Sequence, residues 1–185
     1  MLFEVEKYMK DEYVLYLDES EFKRSMTFAI AGIAIKKDNI GLLEKEMAEV
    51  KKIIWDEEYI TLNNPILHCT ELEKVFVNRK SDDIIGFRPE YQELKKRKSE
   101  DIEKIYARVY GKMSQALKKS GATVFSCIIK IQQLRALFFL DENHNGIHLI
   151  DDQYSIALQK IIENFTHYLS VNDGYGDVIY ESRNN

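Results

Sequence analysis

The chain has 185 residues, 45% hydrophobic and 31% charged, a composition that suits one globular domain with its own core and excludes disordered and fibrous classes. A net charge of -5 excludes a protein that coats duplex nucleic acid through bulk positive charge, although a local groove or a bound metal keeps nucleic acid open as a partner. Cys69 and Cys127 are too few and too far apart for a disulfide framework or a zinc knuckle, so the expected setting is reducing and cytoplasmic.

The amino terminus, Met1-Leu2-Phe3-Glu4-Val5-Glu6, carries acids where a secretory signal carries bases, and no apolar run reaches membrane-spanning length. Neither export nor membrane insertion is expected. No repeat, low-complexity tract or Gly/Ser-rich linker divides the chain, and its two prolines are Pro65 and Pro89. Residues 1–185 therefore read as a single domain.

Tyr13-Val14-Leu15-Tyr16-Leu17 is an apolar β-type run ending in Asp18-Glu19-Ser20. A second such run follows from Met26 to Ile35, and Lys23-Arg24 between them predict a hairpin of antiparallel neighbours. Ile40, Leu43, Met47, Val50 and Ile54 step by three and four, predicting a helix over roughly Asn39 to Trp55 with Asp38 as its N-cap. Tyr59 to His68 reads as loop and short strand, because Pro65 bars a helix through its centre. From Ser99, acids in the first turn precede an apolar stripe that runs to Leu117, with Gly121 as the stop.

Ala122 to Lys130 is a third predicted strand, followed by a helix near Gln132 to Phe139 and a polar loop, Asp141 to Gly146. Tyr154, Ala157, Leu158, Ile161, Ile162 and Phe165 mark a long amphipathic helix beginning near Asp151-Asp152. Asp173-Gly174 closes it before a final strand, Tyr175 to Glu181. Strands and helices in this mixed order predict an α/β sheet flanked by helices.

A carboxylate at the end of a buried strand is stable when it is paired, coordinated or placed at the strand's mouth. Asp18 is thus the first candidate for chemistry, and Glu181, after Val178-Ile179-Tyr180, repeats the design. Two such carboxylates on neighbouring strands would form an oxygen-ligand site for a divalent cation. Strand alternation puts Asp18 and Glu19 on opposite faces. A plainer account stays open beside this one: Asp18 capping a backbone N–H in a turn, Glu19 solvated, and Glu181 an ordinary strand-end acid.

His68-Cys69-Thr70-Glu71 forms a further cluster. Glu71 falls in the first turn of a helix starting at Thr70, where a carboxylate is favoured in any case, and His68 suits a packing residue or a ligand. Asp152 is explained by N-capping and stands as a reserve ligand. The basic run Lys95-Lys96-Arg97-Lys98 suits a solvated helix face or phosphate contacts. The chain contains no Gly-rich phosphate loop, dinucleotide fingerprint or nucleophile elbow. Ser20 lacks an evident His base, and Asp173 to Asp177 reads as a tight turn rather than a calcium loop.

Leu17-Asp18-Glu19-Ser20, Leu67-His68-Cys69-Thr70-Glu71-Leu72, Tyr154-Ser155-Ile156-Ala157-Leu158 and Gly176-Asp177-Val178-Ile179-Tyr180-Glu181-Ser182-Arg183 together resemble the bacterial and phage domain-of-unknown-function family 3800, over nearly the whole chain. The resemblance implies a ribonuclease H-like fold. It implies Asp18 as the first metal-binding carboxylate, Glu71 with His68 as the second element, and Glu181 as the acid of a later strand. The implied activity is phosphodiester hydrolysis with two Mg2+ or Mn2+ ions, in phage defence or mobile-element biology. Arg183 would contact a phosphate or pair with a nearby acid.

Two positions depart from the family pattern. Glu21 stands where the family usually has Gly, and members usually continue past the Glu-Ser-Arg strand into a segment with another acid. Two expectations stay open: a naturally short protein, or a piece of a longer one lacking a C-terminal segment, whose metal site is incomplete unless Asp152 or Asp177 substitutes for that acid. The alternative function is a catalytically inactive binding module of the same fold acting through protein partners. The 11 Tyr and 9 Phe are compatible with a self-association surface and a homo-oligomer.

Overall fold

In the computed structural model, which describes residues 10–22, 26–77, 88–91, 94, 99–137 and 147–180, the apolar run around Leu15 forms β1 (Asp11–Phe22). It pairs antiparallel with β2 (Thr27–Lys36), Tyr16 opposite Ile33 and Asp18 opposite Ala31, as the hairpin reading predicts. β2 pairs antiparallel with β3 (Thr123–Lys130). On its other side β1 pairs parallel with β4 (Gly174–Tyr180), the last matched residues being Leu17 and Tyr180. The sheet order is β3-β2-β1-β4, so the first strand is central and the sheet is mixed.

The chain divides into two compact units, residues 1–40 with 121–185, and residues 41–120. In the first, a helix α6 (Ile147–Val171) carries Ala157, Ile161 and Phe165 at four-residue spacing. These pack with Tyr13, Leu15 and Leu17 of β1 and Phe28, Ile30 and Ala34 of β2 into one buried core. Each fully buried Leu or Ile in such a core stabilises the fold by about 1.5–3 kcal/mol. Gly32 and Gly176 are required by close approach: a methyl on either would collide with the backbone of β1, at Tyr16 and Tyr13 respectively. A short helix α5 (Ile131–Leu137) follows β3, its first N–H bonded to the Met26 carbonyl.

The second unit holds α1 (Ile40–Lys51), α2 (Glu57–Asn63), α3 (Cys69–Val77) and α4 (Ser99–Lys119). Its core joins Val50, Trp55, Leu72, Tyr91, Ile102 and Val109 among others. The helix predicted from Ser99 runs as expected to Gly121, whose φ of 68° is the left-handed stop.

Several predicted boundaries are corrected. Tyr59–Asn63 is helical rather than loop or strand, because Asp56 caps the Tyr59 N–H at 2.7 Å and Asn64, left-handed, ends the helix just before Pro65. Asp38 lies inside a 3-10 turn, Lys37–Asn39, and so is not the N-cap of α1. Asp151 and Asp152 lie within α6, which begins at Ile147, so N-capping does not account for them; Ile147 to Ile150 contain no breaker and extend the helix backwards. The tight turn is confined to Asn172-Asp173, and Gly174 to Asp177 belong to β4, held by pairing to β1. The polar loop at 141–146 and the basic run at 95–98 lie outside the described residues. Among the described residues no helix is long and apolar enough to cross a membrane, and Cys69 and Cys127 are free thiols.

Candidate metal centre

Within the first unit, one candidate residue, Asp18, is placed by the way β1 and β4 pair. β1 and β4 are adjacent and parallel, so their carboxyl ends lie side by side. Asp18 comes one residue after the last matched pair, Leu17 with Tyr180. Glu181 follows Tyr180 in the chain and lies outside the described residues, as does Arg183. Asp152 is placed only through the backbone of α6; its side chain is outside the description.

Alternation separates Asp18 from Glu19 as predicted. Leu17 is in the core, Asp18 is exposed on the opposite face, and Glu19 is half-buried on the core side. Asp18 Oδ1 accepts the Glu19 backbone N–H at 2.8 Å, which is the local capping of the plainer account. Glu19 is not simply solvated, because its Oε2 accepts the Tyr180 hydroxyl. Burial, together with that hydrogen bond, pushes the Tyr180 phenol above its ordinary pKa. Tyr154 of α6 packs edge to face on Tyr180, ring centres 5.7 Å apart.

Within the second unit, His68 immediately precedes α3 and Glu71 lies in its first turn. The helix begins at Cys69, one residue earlier than predicted, and the Leu72 N–H bonds the His68 carbonyl. His68 is held by Tyr91, which is fully buried and whose hydroxyl accepts the His68 N–H at 2.6 Å while donating to the Ile66 carbonyl at 3.1 Å. Burial raises the Tyr91 phenol to about 12. The Trp55 ring meets Tyr91 edge to face, and its indole N–H donates to the Glu90 carbonyl at 2.9 Å, fixing the clamp.

Glu71 is only 6% exposed. Burial alone would raise its pKa, but the Lys74 hydrogen bond and charge, aided by the backbone and charge of Arg88, bring it below the ordinary carboxylate value. Lys74 Nζ donates to Oε1 at 2.6 Å. Glu71 Oε2 and His68 Nε2 are both buried without a hydrogen-bond partner. Buried polar atoms left unsatisfied cost free energy and call for an explanation such as a ligand. An anionic oxygen and an imidazole nitrogen three residues apart are a donor pair that fits a divalent cation.

Among the described residues, no group of three or more His, Cys, Asp or Glu stands together as a cation site. The described candidates are one exposed carboxylate on β1, one buried carboxylate on α3 and the half-buried His68 just before that helix. Sequence reasoning missed Tyr91, Lys74 and Tyr180. Lys74 was legible, being three residues after Glu71 on one helix face, whereas Tyr91 lies in a turn with no periodicity to mark it. No family model, curated protein or solved structure matches the chain.

Proposed function

We propose that the protein is a metal-dependent nuclease or phosphoesterase that hydrolyses phosphodiester bonds, on a ribonuclease H-like core. The observation that carries the reading is the pair of unsatisfied buried atoms, Glu71 Oε2 and His68 Nε2, on residues that the family resemblance singles out. The parallel pairing of β1 with β4, which sets their carboxyl ends side by side with Asp18 just past the last matched pair, supports the same reading, and the mixed α/β sheet supports the fold.

In this proposal each unit is taken by itself: in the second, Glu71 offers an oxygen from α3 and His68, just before it, a nitrogen, and in the first, Asp18 and Glu181 are the strand-end carboxylates with Asp152 held in reserve. Mg2+ or Mn2+, when bound, would supply an activated water and stabilise the leaving oxygen. Glu71 is kept ionised by Lys74 and so is ready to ligate without first losing a proton. Arg183 would contact a substrate phosphate, and DNA and RNA are both candidate substrates. The test is Mn2+-dependent cleavage of single- and double-stranded DNA and RNA by the wild type, Asp18→Asn and Glu71→Gln. Turnover by the wild type alone supports the reading, and equal turnover by all three sinks it.

A second reading has its own observation. The sheet face opposite α6 carries exposed apolar side chains in a row across the strands, Val124 of β3, Tyr16 of β1 and Ile179 of β4, with Ile128 nearby. Such a face suits a non-catalytic module that binds protein partners or a second copy. Loss of metal binding with no effect on a measured self-association would favour the enzyme as the seat of function; self-association without any metal binding would favour the module.

A further inference from the structure

We infer that Lys74 is a positioning residue of the metal centre: by holding Glu71 Oε1 it keeps Oε2 presented, together with His68 Nε2, to an incoming divalent cation. The inference rests on the metal-site reading above. An ordinary lysine–glutamate pair one turn apart on a helix is solvated at both ends and screened. This pair is not of that kind. The Lys74 side chain is 47% exposed while the Glu71 side chain is 8% exposed, so the ammonium reaches in from solvent to a carboxylate that is otherwise enclosed.

The asymmetry of the carboxylate is the informative feature. Oε1 is engaged at 2.6 Å, whereas Oε2 is buried and unpartnered. A carboxylate that needed Lys74 only for charge compensation could turn to share both oxygens with the ammonium. Here the ammonium engages one oxygen, with Arg88 adding its charge nearby, and the other oxygen is buried without a hydrogen-bond partner, on the residue three positions from a histidine nitrogen that is likewise unpartnered. Hydrogen bonds to the far atom of a ligating side chain fix its orientation, and losing them typically lowers metal affinity by about 10–100-fold. His68 receives the matching restraint at its backbone, from Tyr91. The two ligands are thus each braced by a neighbour that does not itself offer an atom to the cation.

The experiment measures Mn2+ binding to the full chain, by the loss of the free-ion electron paramagnetic resonance signal, for wild type, Lys74→Met, Lys74→Arg and Glu71→Gln. Lys74→Met is expected to weaken binding by about tenfold or more, and Lys74→Arg, which keeps a donor and a charge, to restore it to within about threefold of wild type. Circular dichroism of each variant separates a positioning effect from loss of folding, and the arginine rescue does so independently. Equal affinity of Lys74→Met and wild type, with binding abolished in Glu71→Gln, would overturn the role of Lys74 and leave the metal site standing. No Mn2+ binding by the wild type, or undiminished binding by Glu71→Gln, would overturn the site and the inference together.

Discussion

The Tyr180 hydroxyl donates to the Glu19 carboxylate, tying the end of β4 to the end of β1 on the core side of the sheet. Asp18 immediately precedes Glu19 and Glu181 immediately follows Tyr180 in the chain. The bond therefore joins the immediate neighbours of both candidate strand-end ligands. Tyr180→Phe removes the donor and leaves the ring. It should cost about 1 kcal/mol of stability by urea denaturation and weaken Mn2+ binding several-fold. Unchanged affinity would show that this tie does not act on the metal centre.

Asp18 is exposed and contributes one hydrogen bond, to the neighbouring N–H. Asp18→Asn keeps an acceptor at that place and should change stability by no more than about 0.5 kcal/mol, while abolishing metal-dependent turnover. A large fall in melting temperature would instead assign Asp18 a structural role.

Tyr91 gives the pH dependence a definite sign. Its pKa is raised to about 12 in the folded chain, against about 10 in an unfolded one, so the folded state holds the proton more tightly between those values. The stabilisation is fully present below pH 10 and is lost as pH rises through 12, amounting to about 3 kcal/mol in all. Denaturation across pH 8 to 11 should show this alkaline decline in the wild type and a shallower one in Tyr91→Phe. Parallel declines would contradict the buried clamp.

Gly32 tests the register of β1 and β2. A methyl there meets the Tyr16 carbonyl and the Leu17 side chain, so Gly32→Ala should destabilise by about 1–3 kcal/mol. A neutral effect, read by urea denaturation, would mean that the two strands are not paired as described.

The alternation around Leu15 and the four-residue stripe Ala157-Ile161-Phe165 were legible because burial on one face imposes a period, and the structure places both in the same core. The pairing of β1 with β4 was foreseeable only as a possibility, since Leu15 and its partner Val178 lie 163 positions apart and no local signal names the neighbour; the register alone makes it definite. Helix ends were read less well. Asp151-Asp152 looked like a cap because acids favour a first turn, yet α6 starts four residues before Asp151. Glu71 was singled out from sequence, but its burial and its Lys74 partner depend on tertiary packing around Leu72 and Tyr91. The Tyr91 clamp reaches 23 residues along the chain to His68 and leaves no mark in composition or spacing.

The most direct test of the central claim is calorimetric titration of Mn2+ and Mg2+ into the wild type, Asp18→Asn and Glu71→Gln. The account predicts saturable binding by the wild type that each substitution removes or weakens by at least about tenfold. Absence of binding by the folded wild type, or binding that neither substitution alters, would contradict cation binding by these carboxylates, Asp18 at the end of β1 and Glu71 in α3.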